Sequence, residues 1–222
     1  THTHYTGKTV SSYSGDLKPM ALFIIRHGET AGNVGGIVQF PDVPLNERGL
    51  TQARLAGKRL RNANLVRIIA SDYDRTRMTA EQIQAETNAP LEFNELLRER
   101  HFGDLRGKSH SEIGDLHHPE LAPPNGETWP MFHRRVDQAW AMMQAAAAEA
   151  DGDVAIVTHG LVCFSLALRH LQTPEDYQAT PTFGNTSITQ VEPAPPWRAL
   201  LINCCAHLDE LNADRTERGR SV

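Results

Sequence analysis

Two short apolar runs in this chain end in the same way. Ile24-Ile25-Arg26-His27-Gly28 and Ile156-Val157-Thr158-His159-Gly160 each pass from aliphatic residues to a histidine followed by glycine. A glycine placed there lets the backbone turn sharply and lets a ligand come close. One histidine at a strand end is more often a satisfied structural residue; two at equivalent ends shift the balance toward chemistry. These residue types suit phosphoryl transfer. A neutral imidazole can attack phosphorus and hold it as phosphohistidine. Guanidinium groups give charge-assisted hydrogen bonds to the non-bridging oxygens, and a carboxylic acid supplies the proton that the leaving alkoxide needs. Arg26 and Arg75 are the candidate cations, each at the downstream end of an apolar strand, and Glu99 in Leu97-Arg98-Glu99-Arg100-His101-Phe102-Gly103 is the candidate acid. The scheme requires no metal and no cofactor. The 11 histidines are scattered, and no His-x-x-x-His falls on an expected helix, so no ligand set is visible.

Those side chains need a scaffold, and hydrophobic periodicity describes one. Continuous apolar runs over residues 20–25, 65–70 and 153–158 read as buried strands. Helical spacing occupies 47–61 (Leu50, Ala53, Ala56, Leu60), about 75–86, 127–149 (Trp129, Phe132, Val136, Ala139, Met143) and the stretch from Gly160 to His170. Late strands fall at 186–191 and 199–203. Apolar strands alternating with amphipathic helices predict a three-layer α/β/α sandwich with a mostly parallel central sheet. Ligands of such sheets bind beyond the carboxyl ends of the strands, where both His-Gly pairs lie. With no repeat and no long linker, the reading is a polar extension over 1–19, one catalytic domain over 20–208 and a loosely attached polar tail over 209–222.

Composition narrows the classes. Lys and Arg total 22 against 27 Asp and Glu, a formal charge of −5, which excludes a globally basic nucleic-acid binder. The cations are 18 Arg and 4 Lys. Codon bias accounts for such a split, and so does bidentate recognition of phosphate or carboxylate; composition alone leaves both open. The apolar run over 20–25 is too short for a membrane span or a signal core, and three cysteines form neither a disulfide framework nor a zinc pattern. The expectation is a cytoplasmic protein whose partner is a small molecule, with no nucleic acid and no membrane. Oligomeric state is left open, a homodimer included.

At the level of motifs, Arg26-His27-Gly28-Glu29-Thr30 with Asn33 resembles the signature of the histidine phosphatase, or phosphoglycerate-mutase-like, superfamily. Pro44-Leu45-Asn46-Glu47-Arg48-Gly49 resembles the family's Pro-Leu-x-x-x-Gly stretch. The segment from Ser71 to Ala80 is similar to its Ser-x-Leu-x-Arg-Ala-x-x-Thr-Ala, and Gly126-Glu127, Thr158-His159-Gly160, Asn185-Thr186-Ser187 and Asn203…His207-Leu208 follow in family order. The resemblance implies a phosphoglycerate-mutase-like fold, with His27 as the phosphorylated nucleophile. Arg26, Arg75 and His159 would complete the phosphate pocket, with Glu99 as proton donor and Asn33 and Gln39 reaching the phosphate. The Gly160 N–H, opening a helix, suits an anion. Glu127 reads as a charge at a helix N-terminus, and Arg77, Arg134 and Arg135 as solvated or structural.

Departures from the family pattern favour hydrolysis. Phe40 stands where glycine often follows the glutamine, which makes it a candidate apolar wall. Phe102 and His110 occupy positions where cofactor-dependent mutases carry Tyr and Lys, and the short stretch from Glu99 to His159 has no room for the mutase insertion. An open pocket lets water reach phosphohistidine. The expectation is therefore a metal-independent phosphomonoesterase acting on a small phosphate ester through phosphohistidine on His27, a hydrolase of histidine acid phosphatase type. Arg26, Asn33, Gln39, Phe40, Arg75, Glu99, Phe102 and Gly160 would form its substrate-binding set. A phosphoglycerate mutase and a non-catalytic phosphate-ester-binding module are the alternatives. Selectivity is assigned to Phe40 and to residues 110–130.

Overall fold

In the computed structural model, which describes residues 20–218, six strands form one sheet in the order β3-β2-β4-β1-β5-β6. The strands are β1 (Leu22–Arg26), β2 (Leu65–Ala70), β3 (Leu91–Phe93), β4 (Asp153–Thr158), β5 (Ile188–Val191) and β6 (Ala199–Cys204). β1, β2, β3 and β4 pair in parallel, while β5 runs antiparallel to β1 and β6 antiparallel to β5. The extension read over 1–19 lies outside the described residues.

Alternation along the strands builds two cores. Leu22 and Ile24 of β1 with Val154 and Ile156 of β4 face Phe132, Val136, Met143, Val162 and Leu166. These belong to helices α5 (Trp129–Glu149) and α6 (Gly160–Arg169). Phe23 and Ile25 with Ala155 and Val157 point the other way, into a core shared with Leu60 and Ile83. Those come from α2 (Glu47–Leu60) and α3 (Asp74–Thr87). Strands covered on both faces must be apolar throughout, which is why they read as runs rather than alternations.

Short elements complete the chain: α1 (Ala31–Gly35), α4 (His110–Ile113) and α7 (Asp209–Arg218). The last is a helix where the sequence reads a loose tail, and Arg48 of α2 donates to Asn212 Oδ1 at 2.6 Å. Capping sets several starts. Asn46 accepts from Gly49 N–H ahead of α2, and Thr128 from Met131 N–H ahead of α5. α6 differs: its N-cap is His159, whose side chain makes no capping bond, leaving the first-turn amides for other acceptors.

Parallel pairing fixes the site. Arg26 of β1 is registered with Thr158 of β4, so His27 and His159, one residue on, leave the sheet side by side. The His27 N–H closes onto the Thr158 carbonyl at 2.9 Å. β2 ends beside them, with Ser71 N–H on the Val157 carbonyl at 3.0 Å, and leads into Arg75 at the start of α3. The β1 exit also needs glycine: a Cβ on Gly28 would lie 2.6 Å from the Gly49 carbonyl oxygen at the head of α2.

Candidate active site

The carboxyl ends of β1, β2 and β4 open into a cleft of about 340 Å³ lined by Arg26, His27, Asn33, Gln39, Arg75, Glu99, Phe102 and Gly160, among others. His27 forms its floor and is 2% exposed. Its Nδ1 lies 2.7 Å from the Gly28 carbonyl oxygen. A carbonyl only accepts, so Nδ1 carries the hydrogen and Nε2 keeps the lone pair. Burial, with Arg75 and Arg26 nearby, holds the His27 pKa well below the usual imidazole value. The imidazole is neutral and its free nitrogen is Nε2, the state a nucleophile requires.

His159 stands behind it, fully buried. The rings meet edge to face with 5.3 Å between centroids. His159 Nε2 is 2.9 Å from Ser71 Oγ, and its Nδ1 has no hydrogen-bond partner. Burial, then Arg75 and His27, push its pKa down as well.

The two arginines are fastened at one end only. Arg26 donates through one terminal nitrogen to the Phe183 carbonyl, and Arg75 donates to the Phe40 carbonyl at 3.0 Å. The Nε of each is buried and unpartnered. Such donors carry a desolvation cost that an anion between them would relieve. Burial pulls the Arg75 pKa to about 10, so it remains cationic at neutral pH. Neither has a carboxylate ion pair among the described residues; Glu99 is the acidic group whose charge acts on both.

Glu99 accepts from its neighbour's Arg100 N–H at 3.0 Å and from Leu161 N–H, in the first turn of α6, at 3.3 Å. Burial raises its pKa; those two amides and the charges of Arg75 and Arg26 oppose the rise. A carboxyl poised above its ordinary value, across a cleft from a neutral imidazole, is suited to deliver a proton.

The remaining expectations divide. Asn33 and Gln39 line the cleft. Asn33 Oδ1 accepts from Asn185 at 3.1 Å, which leaves its amide nitrogen for a ligand, and Gln39 pairs with the Thr30 hydroxyl at 2.8 Å. Phe102 is buried in the wall. Phe40 is a correction: the residue is 49% exposed, its ring lies beside Gly107, and it does not line the cleft. Its carbonyl, bound to Arg75, is what reaches the site, because the chain turns there. His159 also lies beneath the lining rather than in it. Glu127 precedes α5 and forms a two-pronged ion pair with Arg135 instead of serving as a helix-start charge.

Residues given no individual site role by the sequence also line the cleft, among them Tyr73, Arg106 and Asn185. Arg106 donates to Tyr73 Oη at 2.9 Å and lies 3.2 Å from His101 Nε2, which makes a third guanidinium with neutral partners. Asn185 donates to the His27 carbonyl at 3.2 Å; its Asn-Thr-Ser motif was the available signal. Arg106 had none, since it sits in an irregular stretch whose path only tertiary packing decides. Within the 110–130 segment, His110, Leu116 and His117 reach the cleft. Among the described residues no group of three or more His, Cys, Asp or Glu could hold a metal ion, and no helix is long and apolar enough to cross a membrane.

Comparison with known proteins agrees with this architecture. Residues 22–203 match the model of the histidine phosphatase superfamily (branch 1), and the chain belongs to that family. It is 31% identical over 192 residues to glucosyl-3-phosphoglycerate phosphatase of Mycobacterium tuberculosis, covering 79% of this chain and 86% of the relative. It is also 31% identical over 140 residues to adenosylcobalamin/alpha-ribazole phosphatase of Salmonella typhimurium, covering 57% and 68%. Among solved structures, Bacillus stearothermophilus YhfR superposes with a TM-score of 0.73 at 30% identity, over 85% of this chain and 99% of that one. A phosphoglycerate mutase from Bacillus anthracis shares the fold, with a TM-score of 0.71 at 22% identity, over 85% and 95%.

Proposed function

We propose that the protein hydrolyses a small phosphate monoester through a phosphohistidine on His27. The observation that carries this reading is the fixed tautomer of His27: Nδ1 is committed to the Gly28 carbonyl, so the Nε2 lone pair is available beside two guanidinium groups with unpartnered Nε atoms. In the first step Nε2 attacks phosphorus, the bond to the ester oxygen breaks, and Glu99 gives that oxygen its proton. Arg26 and Arg75 neutralise charge on the non-bridging oxygens. In the second step Glu99, now ionised, takes a proton from a water that attacks the phosphohistidine, releasing phosphate and restoring both side chains. The named relatives, a glucosyl-3-phosphoglycerate phosphatase and an alpha-ribazole phosphatase, share the reacting group and differ in everything attached to it. That supports the reaction class and leaves the ester itself to the cleft walls.

The test is turnover of p-nitrophenyl phosphate in EDTA, with an acid-labile, alkali-stable phosphoryl adduct on His27 located by mass spectrometry of rapidly quenched enzyme. Activity that survives His27→Ala, or that disappears with EDTA, overturns the proposal. Mutase activity exceeding hydrolysis, assayed with a bisphosphoglycerate primer, overturns the preference for hydrolysis.

A further inference from the structure

The backbone that presents Glu99 is held by an unusual concentration of bonds. Four consecutive carbonyls, from Leu96 to Glu99, are each taken by a side chain. Arg135 on α5 donates to Leu96 O at 2.9 Å, to Arg98 O at 2.7 Å and to Glu99 O at 3.2 Å. Thr158, the residue before His159, donates its hydroxyl to Leu97 O at 2.7 Å. Arg135 is oriented in turn by Glu127, whose two carboxylate oxygens accept from its Nε at 2.8 Å and from a terminal nitrogen at 2.7 Å. Glu127 also grips the far side of the loop: its carboxylate accepts from His101 N–H at 2.8 Å and its own N–H donates to the His101 carbonyl at 2.7 Å. Every nitrogen of the guanidinium is used, on one carboxylate and three carbonyls. Although burial penalises its charge, Arg135 and the His101 N–H hold the Glu127 carboxyl below its ordinary range, so the pair stays ionic through the neutral range.

Leu97 is fully buried, and the Thr158 bond gives its carbonyl a partner that folding itself requires; the Arg135 bonds bear instead on the backbone that carries the Glu99 carboxyl. The clamp fixes where one carboxyl points. We infer that Arg135, oriented by Glu127, is a positioning residue for Glu99: it sets the distance from the acid to the leaving oxygen and touches no substrate itself. The inference rests on the reading of Glu99 as the proton donor. Lysine cannot replace the arginine, because one ammonium cannot reach three carbonyls and two carboxylate oxygens in a planar fork.

Leaving groups separate positioning from general support. p-Nitrophenolate departs without a proton, whereas the alkoxide of glycerol 2-phosphate needs one. In Arg135→Lys, kcat/KM for glycerol 2-phosphate is expected to fall roughly a hundredfold, and that for p-nitrophenyl phosphate about tenfold less than that, while the inhibition constant for inorganic phosphate stays unchanged. Glu127→Gln, which keeps the side chain's shape, gives the same selective loss in smaller measure and carries the test should Arg135→Lys not fold. Equal losses on both substrates, or no loss on either, overturn the inference. Glu99→Gln run in parallel isolates the underlying reading: if it too fails to discriminate between the substrates, the acid assignment falls, and the inference with it.

Discussion

The imidazoles of His27 and His159 stand edge to face, 5.3 Å between centroids and 61° between planes, with His159 beneath the cleft floor that His27 forms beside Arg26 and Arg75. Two protonated rings at that separation, beside two guanidinium groups, would concentrate positive charge out of water. Both histidines are therefore neutral, with pKa values pushed well below 6.5 by burial first and by Arg75 next. The unfolded chain takes up these protons near pH 6.5 and the folded chain does not. Stability is thus fully present above pH 6.5 and declines as pH falls below it, by about 1.4 kcal/mol per pH unit for each such histidine. Thermal melts between pH 7.5 and 5 should show Tm dropping with acid, and His159→Asn should flatten that slope. A Tm that rises on acidification in this window would contradict the neutral pair.

The acid gives a second pH signature of opposite sign. Burial raises the Glu99 pKa, so it stays protonated at a pH where an ordinary glutamate has ionised. Glycerol 2-phosphate turnover should decline as pH rises through that raised value, because the donor is lost. p-Nitrophenyl phosphate should lack the added decline, and so should Glu99→Gln with either ester. The two substrate phosphates titrate at different pH, so each profile is read against that of Glu99→Gln on the same ester, where substrate titration cancels. A ratio of parent to Glu99→Gln kcat/KM for glycerol 2-phosphate that is independent of pH would remove Glu99 from the proton-transfer role.

Arg75 gives a third expectation. It is anchored on the Phe40 carbonyl at 3.0 Å, with its Nε buried and unpartnered. Removing a donor aimed at developing oxyanion charge costs roughly a hundred- to a thousandfold in kcat. Arg75→Ala should lose that much against p-nitrophenyl phosphate and should also bind orthovanadate more weakly. Arg75→Lys should recover little, since an ammonium cannot hold the Phe40 carbonyl and a phosphoryl oxygen in one plane. Near-complete rescue by lysine would show that charge alone suffices at this position.

Much of this site could be read from the chain because its parts sit where periodicity changes. His27 and His159 end apolar strands, and the apolar runs over Leu65–Ala70 and Asp153–Thr158 coincide with β2 and β4. Arg75 and Gly160 open helices just beyond such ends. What could not be read depends on tertiary contact. Arg106 enters the cleft by resting on Tyr73 and His101, neither of which marks it in sequence. Phe40 lends Arg75 its backbone carbonyl while its side chain lies beside Gly107, and no residue pattern tells those two uses apart. Strand β3 is three residues long and mostly exposed, too short to show a pattern. The polar residues after Leu208 carry no apolar periodicity that would announce α7, which Arg48 holds through hydrogen bonds to Asn212 Oδ1 and the Leu211 carbonyl.

Thr79 joins two halves of the site through one hydroxyl. Its Oγ1 donates to the Arg75 carbonyl at 2.7 Å and accepts from Gly28 N–H at 3.0 Å. It is fully buried, so water cannot replace it. Gly28 is the residue whose carbonyl sets the His27 tautomer, which makes the hydroxyl a link between the start of α3 and the nucleophile. Thr79→Val keeps the volume and strands the buried Gly28 N–H, a loss of about 1–3 kcal/mol in stability. If the link matters for chemistry, kcat for p-nitrophenyl phosphate should also fall, because a shifted Gly28 carbonyl loosens the tautomer that keeps Nε2 free. Thr79→Ser, which retains the hydroxyl and drops one methyl, should restore most of the rate while remaining less stable than the parent. A Thr79→Val enzyme that loses stability but keeps its rate would assign the hydroxyl to folding alone.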